Sequence, residues 1–125
     1  MGKSVVSAAV CAALVEGGEP VAAFKPVVTG LDDPPGDWPP DHELLAEAAG
    51  GGRTPEEVAP YRFGPAVSPH YAAEMAGVTI EPAQVVAAAR AAAAGRLLVA
   101  EGVGGLLVPL TTGYLVRDLA VDLRR

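Results

Sequence analysis

Gly2-Lys3-Ser4 stands directly ahead of an apolar stretch with helical spacing, and that placement constrains the fold more than any other feature of the chain. Gly-Lys-Ser/Thr closes the phosphate-binding loop G-x-x-x-x-G-K-Ser/Thr, in which backbone N–H groups and a helix N-terminus converge on phosphate oxygens. In that setting Gly2 lets the backbone approach the phosphates, Lys3 reaches the outer ones as a point charge, and the Ser4 hydroxyl ligates magnesium. Three residues carry little weight alone, so the order of the segments beyond them decides. Val6, Val10, Ala13 and Leu14 recur at helical spacing and Gly17-Gly18 supplies a stop. Pro20 to Phe24 is short and apolar enough for a buried strand, and it runs into Lys25-Pro26-Val27-Val28-Thr29-Gly30. Helix then strand is the order that a phosphate-binding loop on an α/β sheet requires.

Further along, residues 30–40 read GLDDPPGDWPP, whose Pro and Gly signals predict a loop at the end of the Lys25 strand. Loops leaving strand C-termini carry the chemistry of parallel sheets. Asp41-His42-Glu43 opens a predicted helix that Gly50-Gly51-Gly52 closes. Thr54-Pro55-Glu56-Glu57 is a capping box opening a short helix. Ser68-Pro69 starts another helix, through Met75 to a stop at Gly77, and a third covers Glu81 to Ala94. Arg96 to Ala100 reads as a buried strand, followed at once by Glu101-Gly102-Val103-Gly104-Gly105. A carboxylate at the tip of a buried strand, with glycines behind it, is suited to holding magnesium beside a bound phosphate chain. Leu106 to Leu110 is predicted extended, Thr111-Thr112-Gly113 a turn, and Val116 to Leu123 an amphipathic helix.

The chain has 125 residues, half of them hydrophobic but mostly Ala and Val, with two Phe, three Tyr and one Trp. Length and composition predict one domain whose core depends on close packing of helices on a parallel sheet. The net charge of −6 argues against a nucleic-acid or anionic-membrane partner, since such binding needs clustered Lys and Arg. A single Cys11 among apolar neighbours reads as a small buried hydrophobe, and with no apolar run near membrane length a cytoplasmic setting is expected. His42 and His70 read as surface or helix-start residues, and Tyr61, Phe63, Tyr71 and Met75 as packing residues.

With these pieces in order, the sequence resembles the dethiobiotin synthetase family. The resemblance rests on GKS, AFKPVVTG, the DHELL helix start, PYRFGPAVSPHYAAEMAG, and EGVGGLLVPL followed by a DLA helix. It implies a P-loop NTPase-type parallel sheet flanked by helices, residues 1–125 forming a single partial domain. The implied activity is ATP-dependent closure of a ureido ring from 7,8-diaminononanoate and CO2 through a phosphorylated carbamate, in a cytoplasmic homodimer. By resemblance Lys25 is catalytic and Thr29 contacts the diamine or its carbamate. Met1, Gly2, Lys3, Ser4, Val5, Asp41, Glu101, Gly102, Val103 and Gly104 contact ATP, and Ser4, Asp41 and Glu101 hold Mg2+. Lys25 could instead be a solvated strand-end lysine and Glu101 a plain exposed strand end. Asp41 could merely cap its helix, and Asp37 competes with it for the metal.

The family's first strand, the first half of its loop, its last strands and its adenine-gripping segments have no counterpart here, nor does much of its dimer surface. The chain is therefore expected to bind ATP weakly and to have low stability. The alternatives are another P-loop ATPase or amidoligase of related fold, and an inactive module that folds only against a partner.

Overall fold

The computed structural model describes residues 2–34 and 36–124. Helix α1 (Gly2–Glu16) leads into strand β1 (Val21–Phe24) and the two-residue strand β2 (Val27–Val28). Helices α2 (Asp41–Ala49) and α3 (Pro55–Val58), strand β3 (Tyr61–Arg62) and helices α4 (Pro69–Met75) and α5 (Pro82–Ala93) come next. Strands β4 (Leu97–Ala100), β5 (Pro109–Thr111) and β6 (Tyr114–Leu115) and helix α6 (Val116–Leu123) complete the order. β1 pairs with β4 and β2 with β3, both parallel, while β5 and β6 form an antiparallel hairpin. The β1–β4 pair has helices on both faces, α1 and α2 on one and α5 on the other, as the α/β reading requires.

Strand alternation divides the core. Val21 and Ala23 of β1 face Ala8 and Cys11 of α1 and Leu45 and Ala49 of α2, while Phe24 joins Val85, Leu110, Val116 and Leu119 on the other side. Side chains two apart share a face of a strand, so one four-residue segment serves both layers. All of residues 21–28 are buried. Helix α1 stops at Gly18, which takes φ +89 while the Glu19 N–H donates to the Leu14 carbonyl at 3.0 Å, a closure that only a residue free in the left-handed region makes without strain. At α3 the Thr54 hydroxyl accepts from the Glu57 N–H and the Glu57 carboxylate accepts from the Thr54 N–H, the expected reciprocal cap. Hydrogen bonding to the Glu57 carboxylate by the Thr54 N–H and by the Thr54 side chain holds that carboxyl below its usual range.

Four expectations need correction. The buried stripe of α1 runs through Ser4, Ala8 and Cys11, whereas Val6 and Val10 are 63% and 44% exposed. The helix is apolar nearly all round, so spacing alone does not choose its inner face. Strand β4 is not buried: Leu97 is 47% exposed, because β4 pairs along one edge only among the described residues. Leu106 and Leu107 form an exposed turn instead of continuing extended, and only Pro109–Thr111 is strand. Tyr71 and Met75 lie on the outer side of α4, more than half exposed, while Tyr61 and Phe63 stack with ring centroids 6.5 Å apart against the core. No helix among the described residues is long and apolar enough to cross a membrane.

Cys11 is fully buried, and burial, reinforced by the Glu101 carboxylate, pushes its thiol up from 9.0. The folded chain therefore keeps a proton that the unfolded chain releases, and stability falls as the pH rises past that value. Two outcomes are expected. Iodoacetamide should label Cys11 only at the rate of unfolding, and Cys11→Ala should lose less stability than wild type in urea melts as the pH rises past 9.0.

Candidate active site

The site begins at the end of β1. Val21 to Phe24 lie opposite Leu97 to Ala100, and the Glu101 N–H donates to the Phe24 carbonyl at 2.8 Å. The residues just past the two strands, Lys25 and Glu101, thus leave the sheet side by side at its C-terminal edge, where loops rather than further pairing take over. Pro26 has no N–H to continue the ladder and biases Lys25 toward extended backbone. The chain bends there, the Lys25 N–H donating to the Val58 carbonyl at 2.9 Å before Val27 pairs with Tyr61.

Four side chains meet at this edge. Lys25 Nζ lies 3.0 Å from Glu101 Oε1 and 3.3 Å from Asp41 Oδ2. The Ser4 hydroxyl, one turn into α1, donates to the same Glu101 Oε1 at 2.6 Å. Ser4, Lys25 and Glu101 are buried, at 2%, 6% and 5% exposure, and Asp41 is half-buried. Glu101 is therefore not a plain exposed strand end, nor is Lys25 a solvated lysine. Asp41 is the first residue of α2 behind an N-cap, Pro40, that makes no side-chain cap bond. Its carboxylate meets Lys25, while Asp37 lies exposed on the wall of a neighbouring cavity.

Among the described residues Glu101 Oε2 is buried without a hydrogen-bond partner. A carboxylate oxygen in that position is costly unless a cation or donor reaches it. Ser4, Asp41 and Glu101 offer hard oxygen donors, the set magnesium takes when it keeps its other positions for water and phosphate oxygens. Among the described residues no three His, Cys, Asp or Glu side chains converge, so the donors do not form a closed protein cage. The residues present fit magnesium.

Lys3 Nζ donates to the Gly104 carbonyl at 2.9 Å, joining the start of α1 to the loop behind Glu101. That loop requires glycine twice. A Cβ on Gly102 would come within 2.8 Å of Val116, and Gly104 combines φ +66 with a 3.0 Å approach to Val108. Val103 packs half-buried against the core between them. Gly2 and Val5 lie in the first turn of α1, whose leading N–H groups have no partner within the helix. Met1 lies outside the described residues.

Thr29 is placed beside this cluster, on a cavity of about 840 Å³ that Asp41 also lines. Leu31, Asp33, Trp38 and Val67 line it too, and no sequence motif had singled these out. The available signal was a proline-rich segment between a lysine-tipped strand and a carboxylate-tipped helix. His42 is a helix-start residue as expected but not a surface one: it is 5% exposed, its Nδ1 has no partner among the described residues, and burial pushes its pKa down. His70 stands 3.9 Å from Glu74 on α4, apart from this cluster. Two ammonium groups, a hydroxyl and two carboxylates at one rim form an arrangement that can take a metal-bound phosphate chain and stabilise charge that develops on it.

A family model described as AAA domain matches residues 1–125. The chain is 40% identical over 124 residues to the ATP-dependent dethiobiotin synthetase BioD of Anaeromyxobacter dehalogenans, covering 98% of this chain and 54% of that protein. It is 40% identical over 125 residues to that of Ralstonia nicotianae, with 98% and 55% covered. To that of Caulobacter vibrioides it is 36% identical over 127 residues, with 98% and 57% covered. The chain spans about half the length of the curated relatives it matches.

Removing one partner of the buried pair should be worse than removing both. Lys25→Met leaves a buried carboxylate uncompensated and should cost about 3–5 kcal/mol, whereas Lys25→Met with Glu101→Gln should recover most of that loss. Urea melts of the two single variants and the double variant test this through the coupling energy.

Proposed function

The chain belongs to the AAA domain family, and on that premise we propose that it performs the ATP-dependent closure of the ureido ring of dethiobiotin from 7,8-diaminononanoate and CO2. The observation that carries this reading is the Ser4–Glu101–Lys25–Asp41 cluster at the strand ends. The chain's similarity to dethiobiotin synthetases through the segments that build that cluster supports it.

The chemistry accumulates negative charge three times. One amine of the substrate adds to CO2, forming the carbon–nitrogen bond of a carbamate and releasing a proton. A carbamate oxygen then attacks the terminal phosphorus of ATP, and ADP departs. The second amine attacks the carbonyl carbon of the resulting mixed anhydride, closing the ring as phosphate and a proton leave. In this reading Lys25, which is buried and held by Glu101 and Asp41, lies against the carbamate and the transferring phosphoryl group. Lys3 reaches the outer phosphates once it leaves the Gly104 carbonyl. Backbone N–H groups of Gly102, Val103 and Gly104 and of the first turn of α1, Gly2 to Val5, bind nucleotide oxygens, and Thr29 orients the diamine. Magnesium, held by Ser4, Asp41 and Glu101, supplies neutralisation of phosphate charge when bound. The same reading carries with it a cytoplasmic setting and a homodimer as the working form.

The test is ADP release by the chain with magnesium-ATP, bicarbonate and the diamine, each omitted in turn. Release that requires both bicarbonate and diamine is expected; equal release without the diamine would overturn the reading. Lys25→Gln should lower kcat by about 10²-fold or more, the size of losing one preorganised charge-stabilising donor.

A further inference from the structure

Strand β1 pairs with β4 along one edge, and among the described residues no strand lies on the other. The Pro20 and Phe24 carbonyls accept from Leu97 and Glu101 on the β4 side, each at 2.8 Å, so alternation turns the Ala23 carbonyl and the Lys25 N–H to the opposite side. One residue of a neighbouring parallel strand would answer both, donating to the first and accepting from the second. Val58 does half of that. Its carbonyl accepts from the Lys25 N–H at 2.9 Å, but its own N–H is spent within α3 on the Thr54 carbonyl at 3.2 Å.

Arg53 supplies the missing donor. Its Nη1 donates to the Ala23 carbonyl at 2.7 Å, and its Nη2 donates at 3.0 Å to the Glu57 carbonyl, in the peptide unit just ahead of Val58. Ala23 is fully buried, so without the guanidinium its carbonyl would be left unsatisfied. The reciprocal cap between Thr54 and Glu57 stiffens the turn that carries Arg53. A planar guanidinium fork spans two carbonyls in fixed directions, which a single ammonium does not.

We propose that Arg53 is a positioning residue: by joining Ala23 to the end of α3 it fixes the backbone of Lys25, and through it the place of the Lys25 ammonium at the site. The inference rests on the reaction proposed above, in which that ammonium meets the transferring phosphoryl group. Arg53 acts through Lys25 and does not line the cavity beside it. A charged group moved by about 1 Å from its working position can cost on the order of 10²-fold in rate, so a bond made to the backbone two residues away matters to the chemistry.

Arg53→Ala should lower kcat for ADP release about tenfold or more with KM for ATP nearly unchanged, the split expected when a group that acts on the transition state is displaced. Millimolar ethylguanidinium should restore kcat to that variant, and sodium chloride at equal ionic strength should not. Hydrogen exchange followed by NMR should show the Lys25 amide exchanging about tenfold faster in the variant, while the amides of Ala89 and Ala92 in α5 exchange as in wild type. Should Arg53→Ala fail to fold, Arg53→Lys, which keeps the charge without the fork, carries the same comparison and should show the same pattern in smaller degree. If exchange quickens uniformly along the chain with kcat unaltered, or Lys25 exchanges as slowly as in wild type, Arg53 is a packing residue and the inference fails while the proposed reaction stands. If wild type releases no ADP with magnesium-ATP, bicarbonate and the diamine, the reaction itself fails and this inference with it.

Discussion

The contact between the Lys25 ammonium and the buried Glu101 carboxylate is the constraint around which the rest is arranged. Neither charge would be tolerated alone at 6% and 5% exposure, since an isolated buried ion is costly and removing one partner strands the other. The backbone brings them abreast: the ladder from Val21–Leu97 to Phe24–Ala100 ends one residue before each. Ser4 from α1 and Asp41 from α2 then complete the charge balance on two sides. Packing that fixes α1, α2, β1 and β4 against each other is therefore also what sets the polar geometry. The second core cluster, with Cys11, Val21, Leu45 and Val58, supports the first turns of both helices from beneath.

Much of this was legible in the sequence because the signals were local and redundant. The helices from Asp41, Pro55, Pro69 and Pro82 begin where Pro or a capping residue fixes the first turn, and α1 and α2 stop at glycines that take positive φ. Lys25, Asp41 and Glu101 could be singled out because each stands at the tip of an apolar segment with loop signals behind it. What was not legible depended on partners distant in the chain. The inner face of α1 was ambiguous because valine and alanine recur around most of its circumference; packing on α2 and β1 buries Ala8 and Cys11, and the bond to Glu101 draws Ser4 inward. Strand β4 has the composition of a buried strand, but burial depends on neighbours on both edges. Strands β2 and β3 are two residues each, too short for any periodicity, and exist because the bend at Pro26 brings Val27 beside Tyr61. The cavity could not be foreseen, since its walls come from Val5, from the segment between Val28 and Leu44, and from Ala66 and Val67.

The polar cluster and the cavity differ in what each requires of the backbone. Around Glu101 the tolerance is small: a side chain on Gly102 would crowd Val116, Gly104 takes a positive φ, and the Lys3 bond to the Gly104 carbonyl ties the loop to α1. Arg53 adds a tether below, donating to the Ala23 carbonyl at 2.7 Å and the Glu57 carbonyl at 3.0 Å, so α3 is joined to the strand that ends in the lysine. Charge-assisted bonds of this kind are short and directional.

The backbone bonds that hold Gly30, Leu31 and Asp32 to residues 63–65 divide the segment after β2 into an anchored base and a span that begins beyond Asp33. Insertions or deletions in that span would leave the lysine where it is, because the base absorbs no strain from them. A change of length there therefore reshapes the cavity wall without moving the β1–β4 ladder that sets Lys25 abreast of Glu101.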